Sequence, residues 1–119
     1  MRNTLLSIGL AALVSFHSPV KADMMFAGAG AGTCSSFISP PPSFDRNTVN
    51  TSVFTWVQGF ISGMNGLAIN LPGVTPLFDL EMVSLDAQWG YLLAYCKANP
   101  NAQIAAAAID LAVTRLKKR

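Results

Sequence analysis

Histidine, charge and cysteine are all scarce in this chain, and each scarcity removes a class of function. The one histidine is His17, and it lies in a stretch read below as an export signal. The mature chain therefore holds no imidazole to act as general base for a serine or cysteine nucleophile. Without histidine, the two cysteines do not make a metal site. The 6 acids of the chain are too few and too scattered to cage a divalent cation with oxygen ligands. Asp79 and Glu81 are the closest acid pair, but they sit in a weakly structured stretch and read as solvated rather than as the paired carboxylates of glycoside chemistry. Trp56, Trp89 and the tyrosines read as core and rim residues rather than as a ligand box. The expectation is a non-enzyme with no metal and no cofactor.

The first residues supply a compartment. "MRNT" is a short basic start, "LLSIGLAALVSF" an apolar core, and "SPVKA" ends in small residues at Val20 and Ala22. That pattern predicts a secretory signal peptide over residues 1–22, cleaved before Asp23. The apolar core is too short to span a bilayer comfortably, so no stable membrane insertion is expected after cleavage. No small-residue lipobox precedes Cys34. The expected location is periplasmic or secreted. In an exported chain the pair Cys34 and Cys96 predicts a disulfide, and two cysteines allow one pairing only.

Six basic and six acidic residues remain in the mature chain once Arg2 and Lys21 have left with the signal. Four of those six basic residues fall in "RLKKR" at positions 115–119. Cations complement a helix C-terminus, so the cluster reads as a solvated helix end, and no nucleic-acid partner is expected.

"DMMFAGAGAGT" has no periodicity, and residues 23–32 read as a flexible leader; no Gly-Lys-Ser/Thr follows to make a phosphate loop. The expected folded domain covers residues 33–119. It begins with one helical turn, "TCSSFIS", capped by Thr33 and ended by three prolines. No charged side chain occurs from Asn47 to Phe78, and this run contains a Gly-x-x-x-Gly at Gly59 and Gly63. On a wheel of about 100° per residue, residues 52–68 divide into three arcs. Val53, Phe54, Trp56, Val57, Phe60, Ile61, Met64, Leu67 and Ala68 form an apolar arc. Thr55, Gln58, Ser62 and Asn65 form a polar stripe, and Ser52, Gly59, Gly63 and Gly66 a smooth one. A lipid-facing span would not keep an unbroken polar stripe, so the segment reads as an amphipathic helix. Its glycines predict a neighbouring backbone packed close against them.

Ser84 is placed to cap a further helix through "LDAQWGYLLAYCKA", with Leu85, Trp89, Leu92, Leu93, Tyr95 and Cys96 on one face. Asn99 and Pro100 then predict the cap and first residue of a final helix over "PNAQIAAAAIDLAVTRL", with a polar stripe of Gln103, Asp110, Thr114 and Lys117. No run alternates over enough residues to demand a sheet. The expected fold is all-α: a small single-domain helical bundle of three main helices plus a short N-terminal turn, stapled by one disulfide.

"TCSSF", "WVQGFISGMN", "WGYLLAYCKANP" and the alanine-rich last helix resemble the small exported bacterial proteins grouped around the HdeA/HdeB acid-stress chaperones. The "GFISG" core is also similar to the Rap/Tai group, immunity proteins that neutralise peptidoglycan amidases delivered by type VI secretion. Both resemblances imply a helical, disulfide-stapled protein that binds another protein. The first also implies acid activation, although the mature chain is poor in ionisable residues. The second implies inhibition of a cell-wall amidase, although that group commonly carries more cysteines. The residues expected to meet a partner are Thr55, Gln58, Gly59, Ser62, Gly63 and Asn65. Their face is uncharged, whereas a merely solvated helix face usually carries lysine and glutamate; the alternative left open is that another helix of the same chain covers it. The oligomeric state stays open.

Overall fold

The structure, a computed structural model, describes residues 26–118. The expected signal peptide over residues 1–22 and the first three residues of the expected leader lie outside them. A 3-10 turn, Gly28–Ala31, comes first, followed by α1 (Cys34–Ile38), α2 (Arg46–Ile69), α3 (Leu85–Ala98) and α4 (Ile104–Leu111). A π-helical turn, Ala112–Leu116, continues α4. Among the described residues there are no strands, only two isolated antiparallel bridges, Thr33 with Gln103 and Phe78 with Lys117. The expected all-α bundle with its short N-terminal turn is the fold observed.

Short polar side chains set the helix starts. The Thr33 hydroxyl accepts from the Ser36 N–H at 3.3 Å, and the Ser84 hydroxyl accepts from the Ala87 N–H at 3.2 Å. Asp45 starts α2 six residues ahead of the expected periodic segment. Its carboxylate accepts from the Thr48 N–H at 2.8 Å and the Thr48 hydroxyl at 3.0 Å. Each such cap satisfies amides that the helix cannot pair internally, worth about 1 kcal/mol apiece. The Arg46 guanidinium reaches back to the carbonyls of Phe37 and Ile38 at 3.0 and 2.9 Å. It thereby closes the proline corner and caps α1 in one contact.

The alanine-rich helix lies at the centre. Ile104, Ala105, Ala107, Ala108, Leu111 and Ala112 are buried, and α4 packs against both α2 and α3. Small side chains allow that two-sided approach. Val53, Val57 and Ile61, one helical turn apart, form the inward row of α2. The Cys34–Cys96 disulfide forms as expected, with both sulfur-bearing residues buried, and it ties α1 to α3.

The start of the last helix departs from expectation. Asn99 does not cap α4; it closes α3, its backbone N–H and its side-chain amide both donating to the Tyr95 carbonyl at 2.9 Å. The carbonyls of Pro100 and Ala102 then accept from Ser35 and Cys34 N–H at 2.8 Å. These carbonyls hold α1 in place, so helix begins only at Ile104. Part of the expected leader is ordered as well. The Trp56 indole N–H donates to the Ala27 carbonyl at 2.9 Å, and Gly30 lies flat on the indole. A Cβ at Gly30 would sit 2.0 Å from Trp56 Cζ2, so glycine is required there. Trp56 stacks on Phe60 at 4.9 Å, and Phe26 meets both rings edge-on. The two aromatics expected in the core are instead half-buried beneath this amino-terminal segment.

Candidate protein-binding face on the second helix

The polar stripe of α2 splits into an inward and an outward part. Gln58 and Asn65 turn inward. The Gln58 side-chain amide donates to the Gln88 side-chain oxygen at 2.7 Å. Gln88 is fully buried, and its amide donates to the carbonyls of Leu80 and Val83 at 2.9 and 2.8 Å. It thus fastens the α2–α3 connector to both helices. Asn65 clamps the same connector further along: its oxygen accepts from Leu77 and Phe78 N–H at 3.0 Å, and its amide donates to the Phe78 carbonyl at 2.7 Å. An unsatisfied buried polar group costs about 1–3 kcal/mol, so each amide stabilises by occupying several groups at once. Gln88 was missed in the sequence, yet it precedes Leu92 and Cys96 by one and two helical turns and so shares their register. Leu85, expected on that core face, is exposed.

Thr55, Gly59, Ser62 and Gly63 turn outward and are exposed. The close packing expected at the glycines does not occur among the described residues: a Cβ at Gly59, Gly63 or Gly66 meets nothing within 4 Å there. The chain folds back from α2 through α4 and the connector, which cover the opposite side of the helix. The result is a smooth, uncharged ridge of hydroxyls and bare backbone running from Thr48 and Thr51 through Gly63.

Two grooves border the amino-terminal half of this ridge. One, of about 320 Å³, is lined by Phe54, Thr55, Leu85, Asp86 and Trp89 among others. The other, of about 380 Å³, has Phe37, Val53 and Ile104 on its lining beside Pro40, Pro41 and Phe44, with the hydroxyl-bearing residues Ser36, Thr48 and Ser52. A protruding apolar side chain fits either groove without meeting a buried charge.

Asp45 stands at the amino-terminal end of the ridge, bonded to Thr48, and Asp86 lines the first groove. On the far side, the Tyr91 hydroxyl bonds Asp110 and lies 2.9 Å from the Thr114 hydroxyl, beneath the Arg115 guanidinium. The Asp110 bond raises the Tyr91 phenol above the usual tyrosine range. Its stabilisation is therefore complete below the ordinary tyrosine pKa and is lost as pH rises through the higher folded value. At Asp45 the Thr48 N–H, followed by the Thr48 hydroxyl, holds the carboxyl below the usual carboxylate range. Among the described residues no group of three or more histidine, cysteine, aspartate or glutamate residues is placed to hold a metal. No helix there is long and apolar enough to cross a membrane.

Comparison of the chain with protein-family models, curated proteins and solved structures found no match.

Proposed function

We propose that this is a non-catalytic, exported protein that works by binding another protein through the outward ridge of α2. One observation carries the reading. Three glycines stand in the helix, each costing about 1 kcal/mol of helix stability against alanine, and among the described residues no neighbour uses the space they leave. A close-lying partner backbone makes use of that space. It also meets hydroxyls rather than ions, so little charge needs desolvating. The buried disulfide fits an oxidising compartment and supports a periplasmic or secreted location.

The two family resemblances assign different partners. An immunity protein would place the ridge and its grooves against a cell-wall amidase. An acid-stress chaperone would need its fold to open on acidification. At Asp45 the bonds from Thr48 hold the native pKa below the usual carboxylate range. Its contribution is present above the unfolded value and is lost only as pH falls through the lower folded one, and as an exposed cap it is a weak lever. The domain is expected to stay folded at pH 3, with circular dichroism spectra at pH 3 and pH 7 superimposing. Cooperative unfolding between pH 5 and pH 3, together with suppressed aggregation of a client protein, would favour the chaperone.

Lysines on the ridge test the binding face. Thr55→Lys/Ser62→Lys alters two exposed positions, so the thermal midpoint should move by no more than the effect of about 0.5 kcal/mol per site. Co-purification of the partner from the native periplasm should be abolished. A partner retained at the wild-type level places the binding face elsewhere. Turnover of a cell-wall substrate that is lost on changing Asp79 or Glu81 would contradict the non-catalytic reading.

A further inference from the structure

The stacked pair Trp56 and Phe60 on α2 is covered by a segment of the chain itself. The cover is Phe26–Ala31, whose side chains after Phe26 are methyl groups or hydrogen. It meets the pair in three ways. The Ala27 carbonyl accepts the indole N–H, Gly30 lies on the indole ring, and the Phe26 ring stands edge-on to Trp56 at 6.4 Å and to Phe60 at 5.8 Å. Two of its glycines are set by this geometry: Gly28 takes φ +65°, and Gly30 has no room for a Cβ.

Few bonds tie this cover to the rest of the domain. Its turn closes on itself, with Gly32 N–H donating to the Ala29 carbonyl at 3.1 Å. Ahead of Gly32, the indole bond is the one hydrogen bond to the domain among the described residues. The firm attachment begins at Gly32, whose carbonyl accepts from Ile104 N–H at 2.9 Å. Glycine loses more freedom on ordering than any other residue, and segments with few bonds and little buried apolar area open locally while the rest stays folded. Gly32 is placed as the hinge of such an opening.

What lies beside the cover gives its opening a use. Gly59 follows Trp56 by three residues and Gly63 follows Phe60 by three, so the open glycine row runs alongside the covered rings. A partner chain lying on that row meets the edge of the cover. By taking the cover's place it gains both rings, with tryptophan among the residue types that carry most interface energy. It must then bring what the cover brings: a carbonyl for the indole, a bare glycine for its face and an aromatic edge.

We propose that Phe26–Ala31 is a displaceable strap, which holds the aromatic half of the binding face until a partner segment of the same chemistry replaces it. That segment is rich in glycine and alanine and carries a flanking aromatic residue. The proposal rests on the α2 ridge being a binding face, and it names what the partner presents there.

Nuclear magnetic resonance of the two indole N–H groups in the mature, oxidised chain tests the strap. Gly30→Val puts a side chain where a Cβ already lies 2.0 Å from Trp56 Cζ2, and so lifts the strap. The Trp56 indole N–H should then exchange with water about tenfold faster or more, with the Trp89 N–H and the circular dichroism spectrum unchanged. Phe26→Ala, which adds no bulk, should speed the same exchange to a smaller degree, and carries the same readings if Gly30→Val unfolds. A peptide of residues 26–33, FAGAGAGT, is supplied at about 1 mM, the effective concentration of a short tether. It should bind the opened chain, return the Trp56 signal to its wild-type position, and bind the wild type about tenfold more weakly or less. Affinity for the co-purified partner should rise in the opened chain. Unfolding of both variants makes the segment part of the core and overturns the proposal. So does a Trp56 N–H that stays protected, a peptide that does not bind the opened chain, or an unchanged partner affinity. The exchange and peptide readings need no partner, so failure of the strap and failure of the ridge as a binding face are separable.

Discussion

Replacing both cysteines, as Cys34→Ala/Cys96→Ala, is expected to lower the thermal midpoint by about 15–30 °C. The bond closes a loop with a sequence separation of 62 residues, and a loop of that length is worth roughly 4 kcal/mol through the entropy it removes from the unfolded chain. Domains of this size are stable by only about 5–15 kcal/mol in total. The loss should not spread evenly through the fold. The five-residue α1 is too short to persist alone, and its remaining ties are the buried Phe37 ring, edge-on to Trp89 at 5.2 Å, two backbone bonds to Pro100 and Ala102, the Thr33 bridge and the Arg46 cap. Amides of residues 34–38 should therefore lose hydrogen-exchange protection first, ahead of those in α4. A midpoint shift under about 5 °C, by the same scaling, would show that packing alone fixes α1.

Much of this architecture was legible in the residues, and the reasons differ from place to place. Thr33 and Ser84 announce their helices because a cap needs only a short oxygen-bearing side chain before a periodic run. The cysteine pair was legible because two cysteines behind a signal-like start leave no choice of connectivity. Asn99 misled because its amide serves the end of one helix as readily as the start of the next. What decided between them was the distant demand of α1 for the carbonyls of Pro100 and Ala102, which no local pattern carries. The ordered turn over residues 28–31 was invisible for a similar reason: it exists to cover Trp56.

The candidate face was half legible. Periodicity placed Thr55, Gln58, Ser62 and Asn65 in one stripe, but it could not say where that stripe meets the rest of the chain. The long amides reach into the connector, while the short hydroxyls and glycines beside them stay outside. Leu85 lies outside and Gln88 inside because hydropathy does not register that a glutamine whose amide and oxygen are both bonded is as much at home in a core as a leucine. The glycines pointed to a close neighbour, and among the described residues none lies against Gly59, Gly63 or Gly66; a partner backbone there is the proposed reason for their cost.

That last point makes Gly59→Ala/Gly63→Ala the most direct test of the account. Added methyl groups meet nothing within 4 Å at either position, and alanine is favoured over glycine in a helix by about 1 kcal/mol per site. The doubly substituted domain should therefore be more stable by about 2 kcal/mol, raising the midpoint by roughly 8–16 °C. The same methyl groups stand where a partner backbone is to lie, so partner affinity should fall at least tenfold, a loss of about 1.4 kcal/mol or more. The measurement is a thermal melt of the free domain paired with a binding titration against the co-purified partner, both on the same protein preparation. Higher stability with weaker binding is the predicted result; higher stability with unchanged binding would contradict the claim that α2 keeps its glycines for a partner.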